Sequence, residues 1–151
     1  MQTQINVAQA FGMAGEMYDL TPRRVDAVEV ATDVTIGNTA GVSADGKIGA
    51  KNASTYKTFA GIFVRPKESI NYGGSDGALS PSTKVPAGCT VQVCSMGRVK
   101  IVAPSDATVG APIYVYPDGG YAFTSSGDNM TEIGKVIVGG KSGEIIVIEI
   151  G

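Results

Sequence analysis

Two apolar runs near the C-terminal end, Ile133–Val138 and Glu144–Ile150, constrain the fold more than any other part of the sequence. They are joined by the polar turn Gly139-Gly140-Lys141-Ser142-Gly143. Each run places β-branched residues on successive positions: Val136, Ile137 and Val138 in the first, Ile145, Ile146, Val147 and Ile148 in the second. Side chains alternate between the two faces of a strand, so neither run can leave one face to water. The pair therefore requires cover on both sides, from a closed or doubled sheet or from a neighbouring subunit. Ile145, Ile146 and Ile148 are the candidates for that subunit burial or for closure of the core, and the sequence leaves the two roles open.

The remainder of the chain supports an all-β domain. Its 151 residues are enough for one core of ordinary size without metal or disulfide support. Twenty-one glycines and seven prolines, against 17% charged residues, suit short strands joined by turns better than a helical bundle. Val25–Ala31 alternates as a half-buried strand. Asp45-Gly46 is a favoured hairpin turn inside Thr35–Ala50, and Pro117-Asp118-Gly119-Gly120 joins Ile113–Tyr116 to Tyr121–Thr124. Thr58–Arg65 is a further strand in which Gly61 marks a bulge or the close approach of another backbone. Cys89–Ser95 and Arg98–Ala103 read as consecutive strands with Met96-Gly97 at the corner, and Pro66–Pro86 reads as a long loop. About nine or ten short antiparallel strands result, in a small β-barrel or sandwich.

Residues 1–24 are different. Ile5, Val7, Ala8, Phe11, Met13, Met17, Tyr18 and Leu20 are apolar, but Gly12 and Gly15 interrupt any helix and the segment as a whole has no period. An extended N-terminal arm (1–24) leading into a β body (25–151) is expected, with a short frayed helix on the body as the alternative. Pro22 directs the chain into the body by fixing its own φ and holding Thr21 extended.

Chemistry is sparse. The chain has no histidine, which removes the usual general base and the commonest metal ligand. No catalytic residues, metal or cofactor are expected. Gly134–Ser142 imitates a phosphate-binding loop, but a strand follows where a helix N-terminus is required, so it reads as a hairpin. Asp76 and Asp128 sit in Gly-rich turns without the alternating acidic ligands of a calcium loop. Cys89 and Cys94 fall on opposite strand faces and are expected to remain free thiols. Net charge is −2 with a pI near 5.0, so no positive field gathers nucleic acid. No apolar run reaches the roughly 20 residues of a membrane-spanning helix and no signal peptide is evident, so synthesis in the cytoplasm is the expectation.

Three segments together resemble the capsid cement, or decoration, proteins of tailed bacteriophages. They are Gly12-Met-Ala-Gly-Glu-Met-Tyr-Asp-Leu-Thr-Pro-Arg-Arg24, the strand Ala60-Gly-Ile-Phe-Val64, and Val109–Val115 with Ile133–Val136 and Gly143–Ile146. The resemblance implies a structural virion protein, homotrimeric, on the outer surface of an expanded capsid. There it would clamp adjoining major capsid protein subunits against internal DNA pressure, with no nucleic-acid or membrane partner. It makes Phe11, Met13, Met17, Tyr18 and Leu20 the docking side chains, with Pro22, Arg23 and Arg24 setting the arm's direction. The competing reading is a carbohydrate- or receptor-binding β module, in which Tyr114, Tyr116, Tyr121 and the 66–86 loop would form the site.

Overall fold

The computed structural model describes residues 14–19, 22–65, 84–125, 127 and 129–151. These form eleven strands: β1 (Arg24–Glu29), β2 (Val34–Thr35), β3 (Thr39–Val42), β4 (Ile48–Ala50), β5 (Thr58–Val64), β6 (Lys84–Val85), β7 (Thr90–Val102), β8 (Pro112–Val115), β9 (Tyr121–Ala122), β10 (Thr131–Val138) and β11 (Ile145–Ile150). The described residues contain no helix, and the fold is all-β. Nine strands make one curled antiparallel sheet in the order β4-β3-β5-β7-β11-β10-β8-β9, with β1 also paired to β7; β2 and β6 pair separately.

β7 is the spine. Met96-Gly97 is not a corner between two strands: Thr90–Val102 runs as a single strand of 13 residues. The change at Gly97 is one of partner. On one edge residues 92–94 pair with β5 and residues 97–102 with β11; on the other, residues 90–96 pair with β1 and residues 98–100 bond the segment 15–18. Gly97 allows this bend with φ at +136°, and an added Cβ would lie 3.0 Å from Cβ of Arg23 and 3.1 Å from Cε of Met17. Gly61 has a comparable reason: its φ is +153°, and a Cβ there would strike the Cys94 carbonyl on β7.

The terminal hairpin forms as its pattern demands. β10 and β11 pair antiparallel, and β11 is seated between β10 and β7. Ile146, Val147 and Ile148 are fully buried although they point to alternate faces. Ile146 and Ile148 join the larger core cluster with Val99, Ile101, Ile113, Val115, Val136 and Ile150. Ile145 is half-buried opposite Val102. A second cluster, built on Val30, Val34, Ile36, Phe63, Val85, Val91 and Val93, occupies the other side. Its presence explains a departure from the loop expected over 66–86: Val85 is fully buried there, so Lys84–Val85 forms β6 against β2. The rest of that stretch (66–83) and Asp128 lie outside the described residues.

The two ends of the sheet meet through side chains. The β8–β9 turn approaches β3: the Thr39 hydroxyl donates to the Gly119 carbonyl (2.7 Å), and Lys51 Nζ to the Pro117 carbonyl (3.1 Å). The Tyr121 hydroxyl donates to the Gly37 carbonyl at 2.8 Å. Cys94 is buried with its Sγ donating to the Met96 carbonyl, Cys89 is half-buried just before β7, and neither is in a disulfide.

Candidate functional site

The N-terminal segment enters the described structure at Ala14 and is stitched to β7. Gly15 N–H donates to the Lys100 carbonyl (2.8 Å), Lys100 N–H to the Glu16 carbonyl (2.9 Å), and Tyr18 N–H to the Arg98 carbonyl (2.9 Å). Arg65 N–H donates to the Gly15 carbonyl at 2.8 Å, tying the same segment to the end of β5. Gly15 fits because it lacks a side chain: its φ is +84°, and a Cβ would collide with the Ile36 side chain.

Charge pairs reinforce this ladder. Lys100 Nζ meets Glu16 at 3.2 Å, while Arg98 bridges Asp19 (3.0 Å) and Glu149 (2.9 Å). Hydrogen bonding to Glu149, and then to Asp19, holds the Arg98 guanidinium above its ordinary range. Met17 forms a bridge with Val99 and packs against the larger core cluster. Tyr18 is 39% exposed, and Pro22, Arg23 and Arg24 are exposed; Arg24 lies 3.4 Å from Asp26. Met96, 41% exposed, sits opposite Arg24 on β7. The root of the arm thus carries Tyr18, Met96, Pro22, Arg23 and Arg24 along one stretch of β7. Phe11, Met13 and Leu20 lie outside the described residues.

Sequence reasoning missed Glu16, Asp19, Arg98, Lys100 and Glu149. A signal existed: Arg98 and Lys100 recur at strand period, and Glu16 and Asp19 supply opposite charge within the arm. The pairing itself spans 79 and 84 residues, beyond any local pattern.

The tyrosines do not form one open platform. Tyr121 faces Val115 and Tyr114 faces Ala122, so no tyrosine pair lies in direct cross-strand register. Tyr121 packs against the larger cluster with its hydroxyl committed to Gly37, and burial pushes its ionisation well above the ordinary tyrosine range. Among the described residues no group of three or more His, Cys, Asp or Glu side chains is placed to hold a metal ion. One open groove of about 540 Å³ is lined by Val28, Glu29, Val30, Ala31, Gly46, Lys47 and Ile48.

A family model described as structural cement protein (E217 gp24/Pam3 gp6) matches residues 1–151. No curated protein sequence matches the chain. Among solved structures, a chain from the capsid of Myoviridae phage XM1 aligns with TM-score 0.69 and 17% identity, covering 99% of this chain and 96% of that one. The head fibre gp8.5 N base of bacteriophage phi29 aligns with TM-score 0.49 and 17% identity, over 86% and 95% of the two chains.

Proposed function

Because the chain belongs to the phage structural cement protein family, a virion component associated with capsid proteins, we propose that it binds the outer surface of the expanded shell and clamps adjoining major capsid protein subunits. The observation that carries this reading is the family match along the whole chain. The fixed root of the arm supports it. Backbone bonds from Gly15 and Tyr18 and the Arg98 and Lys100 ion pairs hold the start of the arm in place, so contacts made beyond it pull against a braced sheet. Clamping requires that mechanical continuity.

In this proposal Phe11, Met13, Tyr18 and Leu20 supply apolar docking. Met17 anchors the arm to the core, and Pro22, Arg23 and Arg24 set its direction. Arg23 and Arg24 offer forked donors to carboxylates or carbonyls of a shell subunit. Ile145, half-buried opposite Val102, is a contact for a second copy, with three copies expected per assembly, while Ile146 and Ile148 close the core. Repeated modest contacts over a shell multiply into stable retention. A glycan-binding reading gains no support from a hairpin whose Tyr121 hydroxyl is already bonded.

The test is a shell-binding comparison of wild type with Tyr18→Ala and with Arg23→Ala/Arg24→Ala. Both variants are expected to keep the wild-type melting temperature, because these side chains are largely exposed, and to lose at least about tenfold in affinity. Unchanged affinity in both would remove the arm root from the interface.

A further inference from the structure

Among the described residues, no strand pairs with the edge of β1 that faces away from β7. Val30 N–H donates to the Cys89 carbonyl and Val30 accepts from Gly88 N–H, so by strand alternation residues 28 and 26 also direct their peptide groups toward β7. Ala27 and Glu29 therefore direct theirs outward. Ala31, next in that series, uses its N–H on the Ile48 carbonyl, where Val30 and Ile48 form a parallel bridge. From that junction β1 and the β3–β4 turn diverge, and the groove of about 540 Å³ opens between them. Its floor is apolar: Val28 and Ile48 are half-buried and pack on the second core cluster. Glu29 and Lys47 form opposite rims. Two outward donors and two outward acceptors beside an apolar floor match an extended peptide, which would bond along its main chain and place alternate side chains inward.

β1 of another copy is a poor occupant. Antiparallel pairing of two such edges must match outward residues with outward residues. Centred on Ala27, it sets Asp26 against Val28 and Val25 against Glu29. Centred on Asp26 it opposes like charges, and centred on Val28 it drives Asp26 against the buried Val30. The chain contains a better candidate. Although the arm as a whole lacks a period, residues 2–7 alternate strictly, with Thr3, Ile5 and Val7 on one side and Gln2, Gln4 and Asn6 on the other. No charged side chain precedes Glu16. Residues 8–13 link Val7 to Ala14 and span about 23 Å when extended, more than the radius of a domain of this length.

We propose that the outward edge of β1 accepts residues 2–7 of a second copy as an added strand, with Ile5 and Val7 over Val28 and Ile48. This would couple neighbouring copies directly, and it does not rest on shell binding. Residue-resolved amide hydrogen exchange of the full chain over a range of protein concentrations tests it. The Ala27 and Glu29 amides are expected to gain at least about tenfold protection as concentration rises, in step with an increase in sedimenting mass. Ile5→Asp/Val7→Asp is expected to abolish both changes with the melting temperature retained. Ala27→Pro is expected to do the same, because it removes only an outward N–H. Should Ala27→Pro fail to fold, the double variant, which lies outside β1, decides alone. Equal exchange at all concentrations, or protection independent of concentration or of Ile5 and Val7, would overturn the proposal.

Discussion

Removing the Tyr121 hydroxyl probes how the two ends of the sheet are held together. Its bond to the Gly37 carbonyl at 2.8 Å is one of three side-chain bonds between the β8–β9 hairpin and the region of β3. Tyr121→Phe preserves the ring that packs on the larger cluster and leaves a buried carbonyl without that donor. Leaving a buried acceptor unsatisfied costs about 1–3 kcal/mol. In a domain of this size 1 kcal/mol corresponds to about 2–4 °C, so a fall of roughly 4–8 °C in Tm is expected for a loss near 2 kcal/mol. Thr39→Val, which removes the neighbouring bond to Gly119, is expected to cost about 1 kcal/mol. The two losses should be less than additive in the double variant if they brace one seam. The same hydroxyl gives an alkaline signature. Its folded-state ionisation lies far above the ordinary value near 10, so above about pH 10 the unfolded chain releases a proton that the folded chain retains. Wild-type stability should therefore fall with pH in that range, and Tyr121→Phe should fall less steeply. Calorimetry between pH 7 and an alkaline limit measures both effects. A variant with wild-type Tm and wild-type pH slope would refute the closure.

Further expectations concern the braced arm and the core. Gly15→Ala imposes a Cβ on Ile36 at a left-handed backbone position, so the Lys100 amide should lose exchange protection while amides of β10 and β11 keep theirs; global unfolding instead would make Gly15 part of the essential core. Arg65 carries a guanidinium whose Nε and Nη2 are buried without hydrogen-bond partners among the described residues, so Arg65→Met should leave Tm unchanged or raise it, and a loss above about 1 kcal/mol by denaturant titration would contradict that reading. Ile146→Asp places a charge in a fully buried site of the larger cluster and should prevent folding, as read by circular dichroism; a folded variant would mean β11 is misplaced. Cys89 should react with a thiol reagent well before Cys94, because burial both shields Cys94 and pushes its thiol up; equal rates would show that β7 opens readily.

Local chemistry made much of the fold legible. The terminal hairpin was readable from its β-branched runs, the β3–β4 turn from Asp45-Gly46, and the β8–β9 turn from Pro117–Gly120. Gly61 also signalled its contact, since a carbonyl of β7 occupies the space a side chain would need. The missed features are non-local. Gly97 resembles a turn residue within its own sequence window, and only the exchange of β5 for β11 along one edge reveals a bend in one long strand. β2 and β6 contain two residues each, too few to show a period, and depend on Val34 and Val85 meeting across the second core. The ion pairs of Arg98 with Asp19 and of Lys100 with Glu16 join segments about 80 residues apart and were missed for the same reason. Composition and the missing histidine excluded familiar chemistries, whereas the resemblance in Gly12–Arg24 pointed to the family that the whole-chain match then showed.

The central claim is that this chain reinforces an assembled shell. Co-sedimentation of the purified protein with capsids of its source phage, in compact precursor and expanded forms, tests it most directly. Saturable binding to expanded shells together with a raised shell melting temperature is the expected result. Absence of binding to either form, or binding that leaves shell melting unchanged, would contradict the account.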